Sequence, residues 1–228
     1  MKRKLLSEED KTAVAQAIKK AETLTSGEIV FALTDASAMY RHAIFQGALL
    51  GMAAATAIYR ALPNVPYYAT IQALALSIAH SIPILLSLQL VSLAVSYALF
   101  SYFPWKRWFI SARELEARVR EAALLEFYAS GLYRTREENG VLIYLSVFER
   151  RVVVLGDRGI HEKMGSPHWD EVRDLIIQGM RGGRPREGIC AAVEACGKAL
   201  AQHFPRRAGD VNELPDRVLD RTLKPDAS

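Results

Sequence analysis

The sequence predicts an α/β fold: a small βαββ-type sheet with flanking helices, interrupted by a two-helix transmembrane hairpin. Segments typical of buried strands occur both before and after a long uncharged stretch. Within that stretch, residues 61–105 contain no Asp, Glu, Lys or Arg, and Arg60 is the only such residue between Arg41 and Lys106. The flanking segments are charged and amphipathic, as in an ordinary globular domain.

Composition excludes several classes of protein. The chain has 228 residues, is 50% apolar and 24% charged, and carries a formal net charge of +4. These values exclude a disordered or collagen-like chain. Residues 106–228 carry 21 Lys and Arg against 19 Asp and Glu, so no segment has the concentrated positive charge that binds nucleic acid. No nucleic-acid partner is expected.

The segment before the uncharged stretch predicts a helix followed by a strand. Ser7 and Asp10 form a capping box at the start of a helix whose apolar residues repeat at helical spacing up to Leu24. Residues 28–34 are almost all apolar, which is typical of an interior strand. A lone strand is not stable, so it must pair with strands that follow the uncharged stretch.

The uncharged stretch predicts two membrane spans. Residues 43–59 form a first apolar run, and residues 70–103 form a second run of 34 residues in which Pro83 is expected to produce a kink. Basic residues precede the first run and follow the second, and this bias places both termini on the cytoplasmic side. The chain is therefore predicted to be a multi-pass protein of the inner (cytoplasmic) membrane, with the lipid bilayer as one partner.

The remaining sequence completes the predicted domain. A capping box at Ser111 opens an amphipathic helix that Gly131 closes. Two strands joined by a tight turn and two further helices follow, at about 141–148, 151–156, 167–180 and 185–203. The predicted organisation is residues 1–40 and 107–204 as two parts of one domain, residues 41–106 as the inserted hairpin, and residues 205–228 as a polar tail.

Three segments resemble one known family. Residues 138–145 (ENGVLIYL), 149–152 (ERRV) and 156–160 (GDRGI) are similar to the signature of the TPM domain. That family includes thylakoid-lumen phosphatase-like proteins, photosystem repair factors and a receptor modulator. The resemblance extends over about residues 7–35 and 111–204, and the hairpin makes the chain look like a membrane-inserted cytoplasmic variant. It implies a βαββ core and, for different members, phosphatase activity, calcium binding or the assembly of membrane complexes.

Asp157 is the candidate catalytic residue. It follows the third predicted strand between Gly156 and Gly159, where a carboxylate can bind a metal or attack a phosphoryl group. Asp35 follows the first strand and would join Asp157 in a site for calcium or magnesium if those two strands were parallel neighbours. The alternative is an aspartate that only caps its own turn.

A second candidate site contains three arginines. Arg181, Arg184 and Arg186 surround the predicted start of the last helix, where an anion could bind. The alternative is a solvated connection between helices.

These observations leave two functions open. The chain contains no nucleotide-binding loop, nucleophile elbow or Cys–His catalytic pair, which favours an accessory or scaffolding module for a membrane-protein complex. The alternative is a metal-assisted phosphatase that uses Asp157 and acts on phosphorylated protein or small phosphate esters.

Overall fold

The computed structural model describes most of the chain. The described residues are 5–61, 71–102, 104–164, 167–207, 212–215 and 217–221. They form helices α1 (Glu8–Glu22), α2 (Arg41–Ala61), α3 (Ile71–Tyr102), α4 (Ala112–Ala129), α5 (Arg158–Met164), α6 (Pro167–Arg181) and α7 (Pro185–His203), and strands β1 (Glu28–Thr34), β2 (Gly140–Ser146), β3 (Arg151–Gly156) and β4 (Val218–Arg221). Short 3₁₀ helices cover Pro104–Phe109 and Leu132–Arg134.

Two compact units make up the chain. One contains residues 1–38 and 115–228, and the other contains residues 39–114. The first, which we call the α/β unit, is assembled from segments that are far apart in sequence because β1 precedes the second unit and its neighbouring strands follow it. The second, which we call the helical unit, consists mainly of α2 and α3.

The α/β unit is built on a mixed four-stranded sheet in the order β3-β2-β1-β4. Strand β1 is parallel to both β2 and β4, and β2 is antiparallel to β3. Every residue of β1 and β2 is buried, which explains their nearly continuous apolar sequences. The predicted α/β class with flanking helices is confirmed.

Helices cover both faces of this sheet. On one face, residues of α1, α6 and α7 such as Ile18, Ile176 and Leu200 pack with Phe31 and Ile143 of the two central strands. On the other face, α4 supplies a smaller apolar cluster with its residues Val119, Ala123 and Phe127. Alternate residues of each strand therefore enter two separate cores.

The predicted membrane-spanning hairpin is wrong. Among the described residues, no helix combines the length and the apolar character that a membrane span requires. In α2, eight of residues 43–59 are Ala or Gly, whose side chains contribute little hydropathy, and Gln46 and Thr56 reduce it further. The predicted inner-membrane location with both termini cytoplasmic is wrong on the same finding.

Two further predictions for this region concern the segment between the two runs and the effect of Pro83. The segment that would join the two predicted spans, around residues 61–68, lies almost wholly outside the described residues. Pro83 lies inside α3, which is a single helix from Ile71 to Tyr102. The hydroxyl of Ser87 donates to the Pro83 carbonyl at 2.8 Å.

The strand predictions were correct in position but incomplete. Strand β2 ends at Ser146 instead of 148, because residues 147–150 form the turn to β3. The segment predicted as a polar tail contains β4, which Lys11 of α1 holds in place through an ion pair of 2.6 Å with Asp220. Helix α5 also follows β3 directly, where only a glycine-bounded turn was predicted.

Candidate functional site

Asp157 joins β3 to α5 and serves first as a local structural residue. Its backbone N–H donates to the Gly140 carbonyl at 2.8 Å, and its Oδ1 accepts from the Arg158 N–H at 2.8 Å. Its carbonyl accepts from the amides of Ile160 and His161. Its Oδ2 is buried and has no hydrogen-bond partner in the described part of the chain. Asp157 therefore caps α5 with one carboxylate oxygen and leaves the other unsatisfied.

The glycine after Asp157 has a packing role. A Cβ at Gly159 would lie 2.8 Å from the Glu138 carbonyl oxygen and 2.9 Å from that of Glu137. Glu138 itself has a φ of 51°, in the left-handed region. The Gly-Asp-Arg-Gly segment is thus required for α5 to approach the backbone that precedes β2, whatever chemistry Asp157 performs.

Asp35 does not share a site with Asp157. Asp35 follows the carboxyl end of β1, where Thr34 is opposite Ser146, whereas Gly156 at the end of β3 is opposite Val141. Strand β3 is antiparallel to β2, and it is not a neighbour of β1. The two carboxylates therefore lie at opposite ends of the sheet, about 20 Å apart for a seven-residue strand.

No other residues complete the predicted cation site. The described residues contain no group of three or more His, Cys, Asp or Glu side chains that could hold a metal ion. Asp157 supplies one carboxylate, whereas calcium takes six to eight oxygen ligands. The described residues therefore do not fit a calcium or magnesium site.

The three predicted anion-binding arginines lie near the connection between α6 and α7. Arg184 forms an ion pair with Glu187 at 3.2 Å, and Arg186 forms one with Asp10 at 3.7 Å. Arg181 is exposed at the end of α6. Two of the three guanidinium groups are therefore already next to carboxylates.

A buried polar cluster lies at the carboxyl ends of β1 and β2, and sequence reasoning missed it. The Glu149 side chain is fully buried, and its carboxylate accepts hydrogen bonds from the Ser37 N–H at 2.9 Å and from the Ser146 hydroxyl. The Tyr144 hydroxyl lies 3.4 Å from that of Ser37, and burial raises the pKa of Tyr144. A glutamate in a tight turn gives no sequence signal that it is buried.

The cysteines do not provide a nucleophile. Cys196 is fully buried, and burial raises the pKa of its thiol to about 12. Cys190 is partly buried, and its pKa is also raised, chiefly by burial. Both are free thiols, and neither has the lowered pKa of a reactive cysteine.

Helices α2 and α3 of the helical unit pack closely against each other. Gly47 of α2 lies against Phe100 of α3, and Gly51 lies against Ser96, so that a Cβ on either glycine would overlap its neighbour. These pairings show that the two helices run antiparallel, in close contact. We call this pair the α2–α3 hairpin.

The α2–α3 hairpin exposes many large apolar side chains on its outer surface. Between the helices, Gln89 Nε2 donates to the Thr56 hydroxyl at 3.3 Å. The outer surface exposes large apolar side chains, each more than half exposed, among them Phe45, Leu49, Ile58, Leu86, Leu90 and Val95. This is the reverse of the usual arrangement of a helix pair in water. Exposed large apolar side chains in such number mark an interaction site.

Comparison with known proteins agrees with the architecture of the α/β unit. The family model of the TPM domain matches residues 110–199. The NMR structure of the BA42 protein from the psychrophilic bacterium Bizionia argentinensis is similar to this chain, with a TM-score of 0.57 and 21% identity, over 97% of this chain and 99% of that chain. No curated protein matches the chain. The sequence resemblance is therefore confirmed as a TPM domain match, and the likeness to BA42 shows the fold alone.

Proposed function

We propose that this protein is a non-catalytic accessory module that binds a partner protein through the outer surface of the α2–α3 hairpin. The observation that carries the proposal is the number of large apolar side chains that this hairpin exposes. Its exposed apolar side chains have no counterpart to cover them among the described residues of the helical unit. Each large apolar side chain moved out of water contributes about 1.5–3 kcal/mol, so a partner that covers this surface gains substantial free energy.

The chemistry of the surface defines the partner. Six of its large side chains are aliphatic or aromatic. The polar contact of His42 Nε2 with the Glu114 carboxylate, at 3.4 Å, lies at the first turn of α2, away from these side chains. A surface without charge is complemented by apolar helices, which are typical of membrane-protein complexes. The TPM match supports this function, because members of that family assemble or repair such complexes, although a family match alone does not establish it.

The test is co-purification of a partner from a detergent extract. Wild-type protein is expected to retain one identified protein in a stoichiometric amount. The double variant Leu49→Lys/Leu90→Lys is expected to lose it, because each lysine places a charge in the apolar interface. Leu125→Lys is the matched control, since Leu125 is as exposed as Leu90 but belongs to α4 in the α/β unit.

Three results would refute this function. One is wild-type protein that purifies with no stoichiometric partner. Another is a partner that the double variant retains. The third is binding to protein-free lipid vesicles that the double variant loses, with no protein captured, because the surface would then recognise lipid.

The second candidate function is hydrolysis of phosphate esters at Asp157. It is favoured by the buried Oδ2 of Asp157, which has no hydrogen-bond partner among the described residues and which capping of α5 does not use. Asp157→Asn keeps the oxygen that accepts from the Arg158 N–H, so the fold should be preserved while the carboxylate is lost. Hydrolysis of p-nitrophenyl phosphate that survives this substitution would exclude Asp157 as the catalytic group.

A further inference from the structure

The free edge of β3 forms the floor of a groove in the α/β unit. Strand β3 is the terminal strand of the sheet, so one side of its backbone has no partner strand in the described part of the chain. A cavity of about 210 Å³ lies along this edge, with Val152 and Val153 in its floor. Glu116 and the buried Val119 of α4 line one side of it, and Ile177 of α6 lines the other. The two helices thus flank the edge, one on each face of the sheet.

The shape of this groove suits a peptide. Its volume is below the approximately 300–1,000 Å³ of pockets that enclose small molecules. An exposed strand edge, in contrast, offers N–H and C=O groups that an extended peptide can pair with as an additional strand. The apolar walls would then receive alternate side chains of that peptide.

The groove is positively charged. Three arginines line it, Arg150 and Arg151 at the start of β3 and Arg173 on α6, against the single carboxylate of Glu116. Arg173 already forms ion pairs with Asp170 at 2.9 Å and with Asp174 at 3.3 Å. Arg150 and Arg151 form no ion pair within the part of the chain that the structure describes, so their charges are available to a ligand.

The turn that carries Arg150 and Arg151 is held rigidly. The Val147 N–H donates to the Thr34 carbonyl at 3.0 Å, and the Glu149 carboxylate binds the turn to β1 through the Ser37 N–H. Arg150 itself has a φ of 52°, a conformation that this fixed turn imposes. The two guanidinium groups are therefore presented from a preorganised backbone, which lowers the entropic cost of binding.

We propose that an extended, acidic segment of another protein binds along the β3 edge as a fifth strand. Its backbone pairs with β3, and its carboxylates form ion pairs with Arg150 and Arg151. The strand edge favours a peptide over nucleic acid or a free anion, because only a peptide backbone satisfies the free N–H and C=O groups. This site goes beyond the function proposed for the α2–α3 hairpin and does not rest on it.

The probe is a fluorescein-labelled seven-residue peptide in which Glu and Val alternate, with both ends capped, measured by fluorescence anisotropy with the full chain. We expect saturable binding, weakened at least about tenfold by Arg150→Gln/Arg151→Gln, since a lost charge-assisted hydrogen bond has about this effect. Arg181→Gln/Arg184→Gln removes the same charge from the exposed connection between α6 and α7, and it should leave the affinity within about twofold.

A second peptide separates strand pairing from charge attraction. Methylation of alternate backbone nitrogens of the probe keeps its carboxylates but prevents it from pairing as a strand, and it should abolish binding. Equal binding of the methylated peptide, or equal losses in the two double-arginine variants, would overturn the proposal in favour of non-specific charge attraction. Absence of binding by the unmethylated probe to folded wild-type protein would overturn it as well. Co-purification through the hairpin would be unaffected by either result.

Discussion

Glu149→Ala is expected to destabilise the α/β unit by about 3–5 kcal/mol. Glu149 is fully buried, and its carboxylate accepts from the Ser37 N–H, which follows β1, and from the Ser146 hydroxyl at the end of β2. Hydrogen bonds to a charged group contribute about 1.5–3 kcal/mol each. Alanine removes both bonds and leaves a partly buried N–H and a buried hydroxyl to find other partners.

Glu149→Gln separates the charge of this side chain from its shape. The glutamine oxygen can still accept from the Ser37 N–H, and its amide can donate to the Ser146 hydroxyl in place of accepting from it. The free energy of unfolding should therefore fall less than in Glu149→Ala, by about 1–2 kcal/mol. Glu194→Ala is the control on α7, because Glu194 is exposed and its 3.6 Å ion pair with Lys20 lies at the surface. It should change stability by no more than about 0.5 kcal/mol.

Urea denaturation of the full chain, followed by circular dichroism, gives the free energies of unfolding for the four proteins. We expect the free energy of unfolding to be highest for wild type and Glu194→Ala, lower for Glu149→Gln and lowest for Glu149→Ala. A Glu149→Ala protein within about 0.5 kcal/mol of wild type would refute the claim that Glu149 fixes the turn to β1. A Glu149→Gln protein as unstable as Glu149→Ala would show that the charge, and not the shape, is decisive.

Three further predictions concern the hairpin, β4 and the thiols. Gly51→Val should separate α2 from α3, because its side chain would overlap Ser96, and limited proteolysis should then cleave the helical unit faster. Arg221→Ala should lower the free energy of unfolding in urea by about 1–3 kcal/mol. The substitution removes two hydrogen bonds of 3.0 Å from the guanidinium group to the nearly buried Glu126 carboxylate. Cys196 should resist iodoacetamide at pH 8 in the native protein and react after denaturation, since its pKa of about 12 leaves little thiolate; intact mass measures the labelling.

The sequence predicted those strands of the sheet whose position depends on residues close together in the chain. The apolar run of β1 requires two covered faces, and the tight turn after β2 requires an antiparallel β3, so both strands could be identified from sequence. The capping box at Ser7, where Ser7 Oγ accepts from the Asp10 N–H at 3.1 Å, likewise fixed the start of α1. These features depend on residues close together in the chain.

The missed features depend on contacts between distant residues. Strand β4 has only four residues, of which two are charged, and it is stabilised by Lys11 and Glu126, which are far from it in sequence. The separation of Asp35 from Asp157 follows from the strand order, which periodicity does not specify. The uncharged stretch predicted membrane spans because its two runs are apolar or small and carry almost no charge, but no described helix is long and apolar enough to cross a membrane.

The most direct test of the accessory function is site-specific photo-crosslinking in cells. A photoreactive phenylalanine analogue would replace Leu90 on the outer surface of the α2–α3 hairpin or, as the control, Leu125 on α4. The proposed function predicts that one identified protein is crosslinked at Leu90 and not at Leu125, and that this protein also co-purifies in a stoichiometric amount. The absence of a protein adduct at Leu90, or the same set of adducts at both positions, would contradict it.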